Sequence, residues 1–280
     1  MFSKESYLES VLKKLVIDES EITRANNWIS IIKEEFEQSE KGKFGEPPFK
    51  TGSYKRQTAI KPLHDVDIFL VLDRSHYERN DISDLIEIFR RKTQSILDRR
   101  KKDLIGKSQT TLYPLAMNYG VVIKWPRKDP FLQMDIIPAF PHSKREKYYI
   151  IPDIRRNQWI ETSKIDHLDN LKDANIRLQG MVTKFVKLLK HWNVINKKPT
   201  SSFHLEVMIV DISKNLPNNL EEGTKKIFEL LSQKVKEKLT HPSGVGPSVS
   251  ELDVHRSEKL KNKLEEDLRK LNDNKWQEVF

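Results

Sequence analysis

The chain has 280 residues, enough for one large two-lobed domain or two smaller ones. Charged residues make up 32% and hydrophobic residues 37%, and the formal net charge of +9 favours anionic partners: nucleotides, nucleic acid or an acidic membrane surface. The lack of cysteine excludes disulfides and cysteine zinc sites; no apolar run approaches the roughly 20 residues that span a bilayer, and Met1–Ser10 lacks the apolar core of a signal peptide, so a cytoplasmic protein is expected.

Residues 7–36 read as helix with a break at 18–21. One apolar stripe is Leu8, Val11, Leu12 and Leu15; Ile22, Ala25, Trp28, Ile29, Ile32 and Phe36 continue it as packing residues. A loop at 42–48 leads through Phe49–Gly52 into a polar turn. Residues 66–72 (VDIFLVL) form a buried strand by length and branched content. A helix follows over 85–97. Strands are expected over 118–125 and 131–137, joined by a hairpin through the turn residues 126–130. The second half reads as helical: 168–192, 203–212, 227–239 and a charged 258–271, with a loop at 241–250 (HPSGVGPSVS).

The informative stretch is TGSYKRQTAIKPLHDVDIFLVL, residues 51–72. Asp65 and Asp67 are two apart at the head of a strand, so both carboxylates project from one face. Two such groups repel unless a cation lies between them. Magnesium takes oxygen ligands, commonly one or two carboxylates plus substrate phosphates. Asp135, in LQMDIIPAF, supplies a third carboxylate from an otherwise apolar strand, where an unpaired aspartate is costly. Gly52 and Ser53 fit the same picture: the glycine lets a phosphate approach the backbone, and the serine adds donors. His64 reads as a neighbour of this group or a surface residue, not a zinc ligand. The cluster Arg90, Arg91, Arg99, Arg100, Lys101 and Lys102 reads as a solvated helix end, with a nucleic-acid patch as the alternative.

Gly-Ser, a polar insert, Asp-x-Asp on a strand and a later strand Asp resemble the polymerase-β nucleotidyltransferase superfamily. GSYKRQTAI before DVDIFLVL resembles the branch of oligoadenylate synthases, archaeal CCA-adding enzymes and bacterial cGAS/DncV-like nucleotidyltransferases (CD-NTases). FVKLLKHWN followed by PTSSFHLEVMIVDI is similar to the helix-loop-helix of oligoadenylate synthases and CD-NTases, and YYIIPDIRRNQWIETS to the segment where such chains leave the palm for the helical lobe. The loop 241–250 matches the corresponding segment only loosely.

The resemblance implies an α+β fold: a palm with a mixed, mainly antiparallel sheet over residues 1–155, backed by the N-terminal helical segment. A helical lobe over 156–280 closes the other side of an active-site cleft. It implies two magnesium ions, or manganese, on Asp65, Asp67 and Asp135, with Asp135 also able to take the hydroxyl proton. Gly52, Ser53, Lys190 and Ser202 would hold the donor triphosphate, with Lys187 and Ser201 as alternatives in an uncertain register. Tyr54 and Tyr148 are loose candidates for stacking on a purine.

The implied activity makes a cyclic di- or trinucleotide from ATP or other NTPs in bacterial anti-phage (CBASS) signalling. A regulatory protein partner or activating ligand is allowed, nucleic acid is not required, and no membrane is involved. No RNA-binding module follows the helical lobe, which is part of this reading. Two other readings stay open: an RNA-end-adding enzyme of the CCA-adding or poly(A)-polymerase kind, and a silent nucleotide-binding scaffold.

Overall fold

The computed structural model describes residues 3–39, 41–77, 81–105, 112–124, 133–163, 166–237, 239, 241–242 and 252–280. In chain order these form α1 (Lys4–Lys14), α2 (Glu19–Ser39), β1 (Phe49–Thr51), α3 (Gly52–Arg56), β2 (Asp65–Val71), α4 (Arg74–Tyr77), α5 (Ile82–Arg99) and α6 (Lys101–Ile105). Then come β3 (Pro114–Met117), β4 (Gly120–Lys124), β5 (Gln133–Pro141), β6 (Tyr148–Asp153) and β7 (Gln158–Ser163). The helices α7 (Asp166–Arg177), α8 (Met181–Ile195), α9 (Ser202–Ile212), α10 (Leu220–Lys234) and α11 (Val254–Asn272) complete the order. Two compact units result: Ile17–Lys164, and Met1–Val16 together with Ile165–Phe280.

The first unit is built on a sheet of order β1-β2-β5-β4-β3, with β6 on β5 and β7 on β6. Among the described strands only β2 and β5 run parallel; the other pairs are antiparallel, giving the mixed, mainly antiparallel sheet of the expected α+β fold. Strand alternation divides the side chains between two faces. Val66, Ile68 and Leu70 of β2 join Met134 and Ile136 of β5 in the main core, against Trp28, Ile32 and Phe36 of α2 and Leu85 and Phe89 of α5. Phe36 stacks on Phe89 with ring centres 5.7 Å apart. On the other face, Phe69, Val71 and Ala139 pack with Tyr149 and Ile151 of β6.

Glu21 falls in the break expected at 18–21, yet it lies in the first turn of α2. It is buried, and its carboxylate accepts from the backbone N–H of Leu63 at 3.0 Å and of Asp18 at 3.1 Å. The second bond is the reach-back of a capping box; the first ties α2 to the loop before β2. With Glu21 inside, Ile22 turns out to solvent, a correction to its place in the stripe.

The expected boundary at 155/156 differs from the division seen. YYIIPD and QWIETS form the β6–β7 hairpin on the sheet, so this unit runs to Lys164. Tyr149 and Ile151 alternate inward along β6, and Phe140 meets Trp159 at 5.2 Å. The N-terminal helical segment also splits: α2 backs the sheet, while α1 belongs to the helical unit.

In that unit the ends of α1 are tied locally. The Glu5 carboxylate accepts from the backbone N–H groups of Leu220 and Glu221, both at 3.2 Å, at the start of α10. Tyr7 donates to the Phe280 carbonyl at 2.6 Å, and Lys184 pairs with Glu9 at 2.6 Å. The helix expected over 168–192 is two helices. Gln179 and Gly180 take φ values of 47° and 90°, and Asn175 receives the Gly180 and Thr183 N–H groups. Apolar spacing runs on smoothly through the break, so periodicity hid it, and Gly180 was the legible signal. The last helices start earlier than expected: α10 at Leu220, capped by Asn219, and α11 at Val254, capped by Asp253. Most of the loop at 241–250, and the hairpin turn at 126–130, lie outside the described residues.

Trp192, fully buried, donates its indole N–H to Asp267 at 2.8 Å, and the other oxygen of Asp267 receives Lys263 at 2.9 Å and Lys270 at 3.2 Å. This carboxylate fastens α11 to α8. Asp267→Ala leaves the indole donor buried without a partner, and urea unfolding should show a loss of about 2–3 kcal/mol.

Candidate functional site

The parallel pairing of β2 and β5 sets Asp65 level with Gln133 and Asp67 level with Asp135. All four side chains share one sheet face, because Val66, Ile68, Met134 and Ile136 fill the core on the other. On the flanking strands, Thr51 of β1 is level with Asp67, while Val122 and Lys124 of β4 are level with Asp135 and Gln133. Further along β2 and β5 this face turns apolar at Phe69, Val71 and Ala139. The carboxylates therefore occupy the end of the face that β6 leaves uncovered by apolar side chains.

Gly52 presses its backbone on this group. Its φ is +69°, and a Cβ built there would fall inside the Oδ2 oxygen of Asp67. Glycine is thus required twice, by conformation and by space. The short helix α3 turns away from this point, closed by Gln57 in the left-handed region, with the Ser53 carbonyl accepting from Thr58 N–H at 3.1 Å.

Asp135 is half-buried, and its Oδ1 accepts from the Gln133 side-chain amide at 2.8 Å. Burial, helped by the charge of Asp65, pushes its carboxyl up to about 6, against the pull of Gln133 and Lys124. Among the described residues no three His, Cys, Asp or Glu side chains are drawn together as a ready cation cluster. The three aspartates share one sheet face and two levels of the β2–β5 register.

In the helical unit, Lys190 is buried and paired with Glu206 of α9 at 2.8 Å. The second oxygen of Glu206, itself fully buried, meets His167 Nε2 of α7 at 2.9 Å. The motif PTSSFHLEVMIVDI contains Glu206, whereas His167 lies outside it, and neither residue carries a signal of this pairing in the sequence. Lys187, one turn earlier on α8, is half-buried and has no ion pair or hydrogen bond among the described residues; burial, then the charge of Lys190, lowers its pKa. Ser201 is the N-cap of α9, its hydroxyl accepting from His204 N–H at 3.0 Å, and Ser202 is the first helical residue. Burial pushes His204 down to about 4, so it is neutral where it meets Thr200 at 2.7 Å.

The looser candidates are already engaged. Tyr54 donates to Asn26 at 3.2 Å, and the Arg145 guanidinium lies 3.8 Å over the Tyr148 ring. His64 is exposed, its carbonyl accepting from Gln133 N–H. In the basic cluster, Arg90 and Arg91 pair with Glu87, Arg99 with Glu35, and Arg100 with both Glu35 and Asp103. Those pairs favour the solvated-helix reading over a nucleic-acid patch.

Residues 2–175 match the model of the SMODS family, the Second Messenger Oligonucleotide or Dinucleotide Synthetase domain. The chain belongs to that family. This SMODS chain is therefore a nucleotidyltransferase, as the aspartate motif implied. It is 25% identical over 232 residues to a probable cyclic nucleotide synthase of Bacillus cereus strain VD146, covering 75% of this chain and 70% of that one. It is 28% identical over 200 residues to the cyclic AMP-AMP-AMP synthase of an Acinetobacter strain, covering 68% of this chain and about half (51%) of the relative. Among solved structures, Escherichia coli MS115-1 CdnC in its HORMA-deltaN complex superimposes with TM-score 0.72 at 15% identity, over 96% of this chain and 93% of that one. Elizabethkingia meningoseptica CdnE, a cyclic dinucleotide synthase, follows at 0.64 and 16%, over 94% and 97%. These likenesses confirm the fold. No described helix of the SMODS chain is long and apolar enough to cross a membrane.

Two outcomes follow from this geometry. Gly52→Ala forces the Asp67 carboxylate aside and strains the backbone, so thermal melting should report a loss of about 1–2 kcal/mol or more. Asp135 binds its proton more tightly folded than unfolded. In EDTA, its contribution to stability therefore falls as pH rises from about 4 to about 6, by about 2 kcal/mol, and is level above. Melts of the wild type against Asp135→Asn from pH 4 to 7 should show the wild type losing ground across that window.

Proposed function

We propose that this SMODS chain joins NTPs into a cyclic di- or trinucleotide second messenger, releasing pyrophosphate at each step, and that it serves bacterial anti-phage signalling. The observation that carries the proposal is the arrangement of Asp65, Asp67 and Asp135 on one face, with the Gly52 backbone against Asp67. In each step a ribose 2′- or 3′-hydroxyl oxygen bonds to the α-phosphorus of the donor, and the bond from that phosphorus to the pyrophosphate oxygen breaks.

The donor set fits a hard divalent cation. It offers carboxylate oxygens, and burial, with the charge of Asp65 beside it, holds the Asp135 proton up to about 6. Asp65, Asp67 and Asp135 would hold magnesium, or manganese, as two ions. When bound, that metal supplies a lowered hydroxyl pKa and charge neutralisation at the pyrophosphate. In this reading Asp135 would take the hydroxyl proton, and Gly52 and Ser53 would meet the donor phosphates through their backbone N–H and hydroxyl groups.

For the triphosphate contact in the helical unit, Lys187 is the better supported of the two lysines. Lys190 already spends its charge on Glu206, whereas Lys187 has none to meet among the described residues. Ser202 is similarly favoured over Ser201, whose hydroxyl is used as a cap. CdnC, solved with a HORMA protein, supports a regulatory protein partner for this chain as well.

The test is to incubate the full chain with four labelled NTPs and magnesium, without nucleic acid, beside Asp65→Ala/Asp67→Ala, then treat with phosphatase. A phosphatase-resistant product, absent from the variant, is expected; a product formed only when an RNA primer is added would replace this reading with RNA-end addition. Lys187→Ala should raise the KM for NTP about tenfold with unchanged melting, a loss of about 1.4 kcal/mol in binding. Lys190→Ala should instead destabilise the fold by about 3–5 kcal/mol, because Glu206 is left buried and its pairing broken.

A further inference from the structure

The carboxylate face holds a regular array of four side chains on two strands. Asp67 and Asp135 make one level; Asp65 and Gln133 make the other. Three of the four are aspartates, and the fourth is an amide. Its nature has a physical cost on either side. A fourth carboxylate would add to the repulsion that already crowds Asp135. An apolar side chain would leave a half-buried carboxylate oxygen without its donor.

Gln133 is also unusually well fixed. Its backbone N–H donates to the His64 carbonyl at 2.6 Å, immediately before Asp65. Its neighbours in register are Asp65 on one side and Lys124 on the other. Its side-chain amide reaches along the strand to Asp135 Oδ1 at 2.8 Å, and no other hydrogen bond of that side chain exists among the described residues. One oxygen of Asp135 is thereby tethered, which sets the rotation of the carboxylate and the direction in which Oδ2 points.

We infer that Gln133 is a positioning residue: its amide orients the Asp135 carboxylate for cation binding and for the attacking hydroxyl. This rests on the reading of Asp135 as one of the ion-holding carboxylates. Residues that orient a ligating carboxylate in this way typically change metal affinity or activity by about 10–100-fold when removed. The effect belongs to the reaction step more than to nucleotide binding, because the amide acts only through Asp135.

The experiment measures Mn2+ binding to the full chain by EPR without nucleotide, and cyclic product kinetics, for wild type, Gln133→Met, Gln133→Glu and Asp135→Asn, with thermal melts of each. Gln133→Met keeps the length and removes the donor. It should weaken Mn2+ binding about tenfold and lower kcat by a similar factor, with KM for NTP within about twofold. Gln133→Glu keeps length and polarity but also cannot donate at neutral pH, so its kcat should fall likewise, and it serves if the Met variant melts early. If Asp135→Asn loses Mn2+ and the Gln133 variants match wild type in both binding and kcat, the inference is overturned while the Asp135 reading stands. If Asp135→Asn binds Mn2+ as wild type does, the reading of Asp135 falls and the inference with it. A drop in KM affinity alone, with kcat unchanged, also overturns the positioning role.

Discussion

Three carboxylates on one sheet face repel one another, and the sheet unit is organised around tolerating that repulsion. The parallel pairing of β2 and β5 creates the crowding, because it puts Asp67 beside Asp135 and Asp65 one level away. The opposite face supplies the compensation: Val66, Ile68, Met134 and Ile136 are sealed against α2 and α5, and they hold both strands in register. A one-residue slip would turn the aspartates into the core and the apolar residues out, so burial on one face fixes charge on the other. Gly52, Gln133 and Lys124 complete the arrangement, the first by giving Asp67 room, the second by tethering Asp135, the third by offsetting charge.

The helical unit handles its charges differently. There two carboxylates, Glu206 and Asp267, are buried, and each is paired. Glu206 joins α7, α8 and α9 through His167 and Lys190, and Asp267 fastens α11 to Trp192. Such groups are costly to strip of one partner and rarely a net gain against an apolar packing, so their use here points to specificity of geometry over raw stability. They also separate Lys190 of α8, spent on Glu206, from Lys187, which has no ion pair among the described residues. In the proposed activity that difference separates a lysine that holds the fold from a lysine that meets phosphate.

Much of the sheet unit could be read from residues 51–72 and 132–140 because its signals are local. Asp-x-Asp at a strand start puts two carboxylates on one face by alternation alone, and Gly-Ser before a polar turn marks a close backbone approach. The glycine requirement at 52 proved stricter than a phosphate argument suggests, since the space is taken by Asp67 itself. Gln133 was passed over: a neutral residue two before an aspartate carries no signal until the strand and its hydrogen bond are seen. The β6–β7 hairpin was misplaced for a similar reason, because a resemblance marked the region as an exit while its alternating Tyr149 and Ile151 marked a strand.

What the sequence determined by itself was the α+β class and the single face shared by Asp65 and Asp67, because strand parity depends only on neighbours in the chain. What the tertiary structure alone decided were the pairings between distant segments. Asp67 opposite Asp135, Lys190 on Glu206, Ser201 as the cap, and α1 with the C-terminal helices all depend on register and packing. No single segment encodes such contacts, since each partner's side chain would satisfy its local pattern equally well in several places.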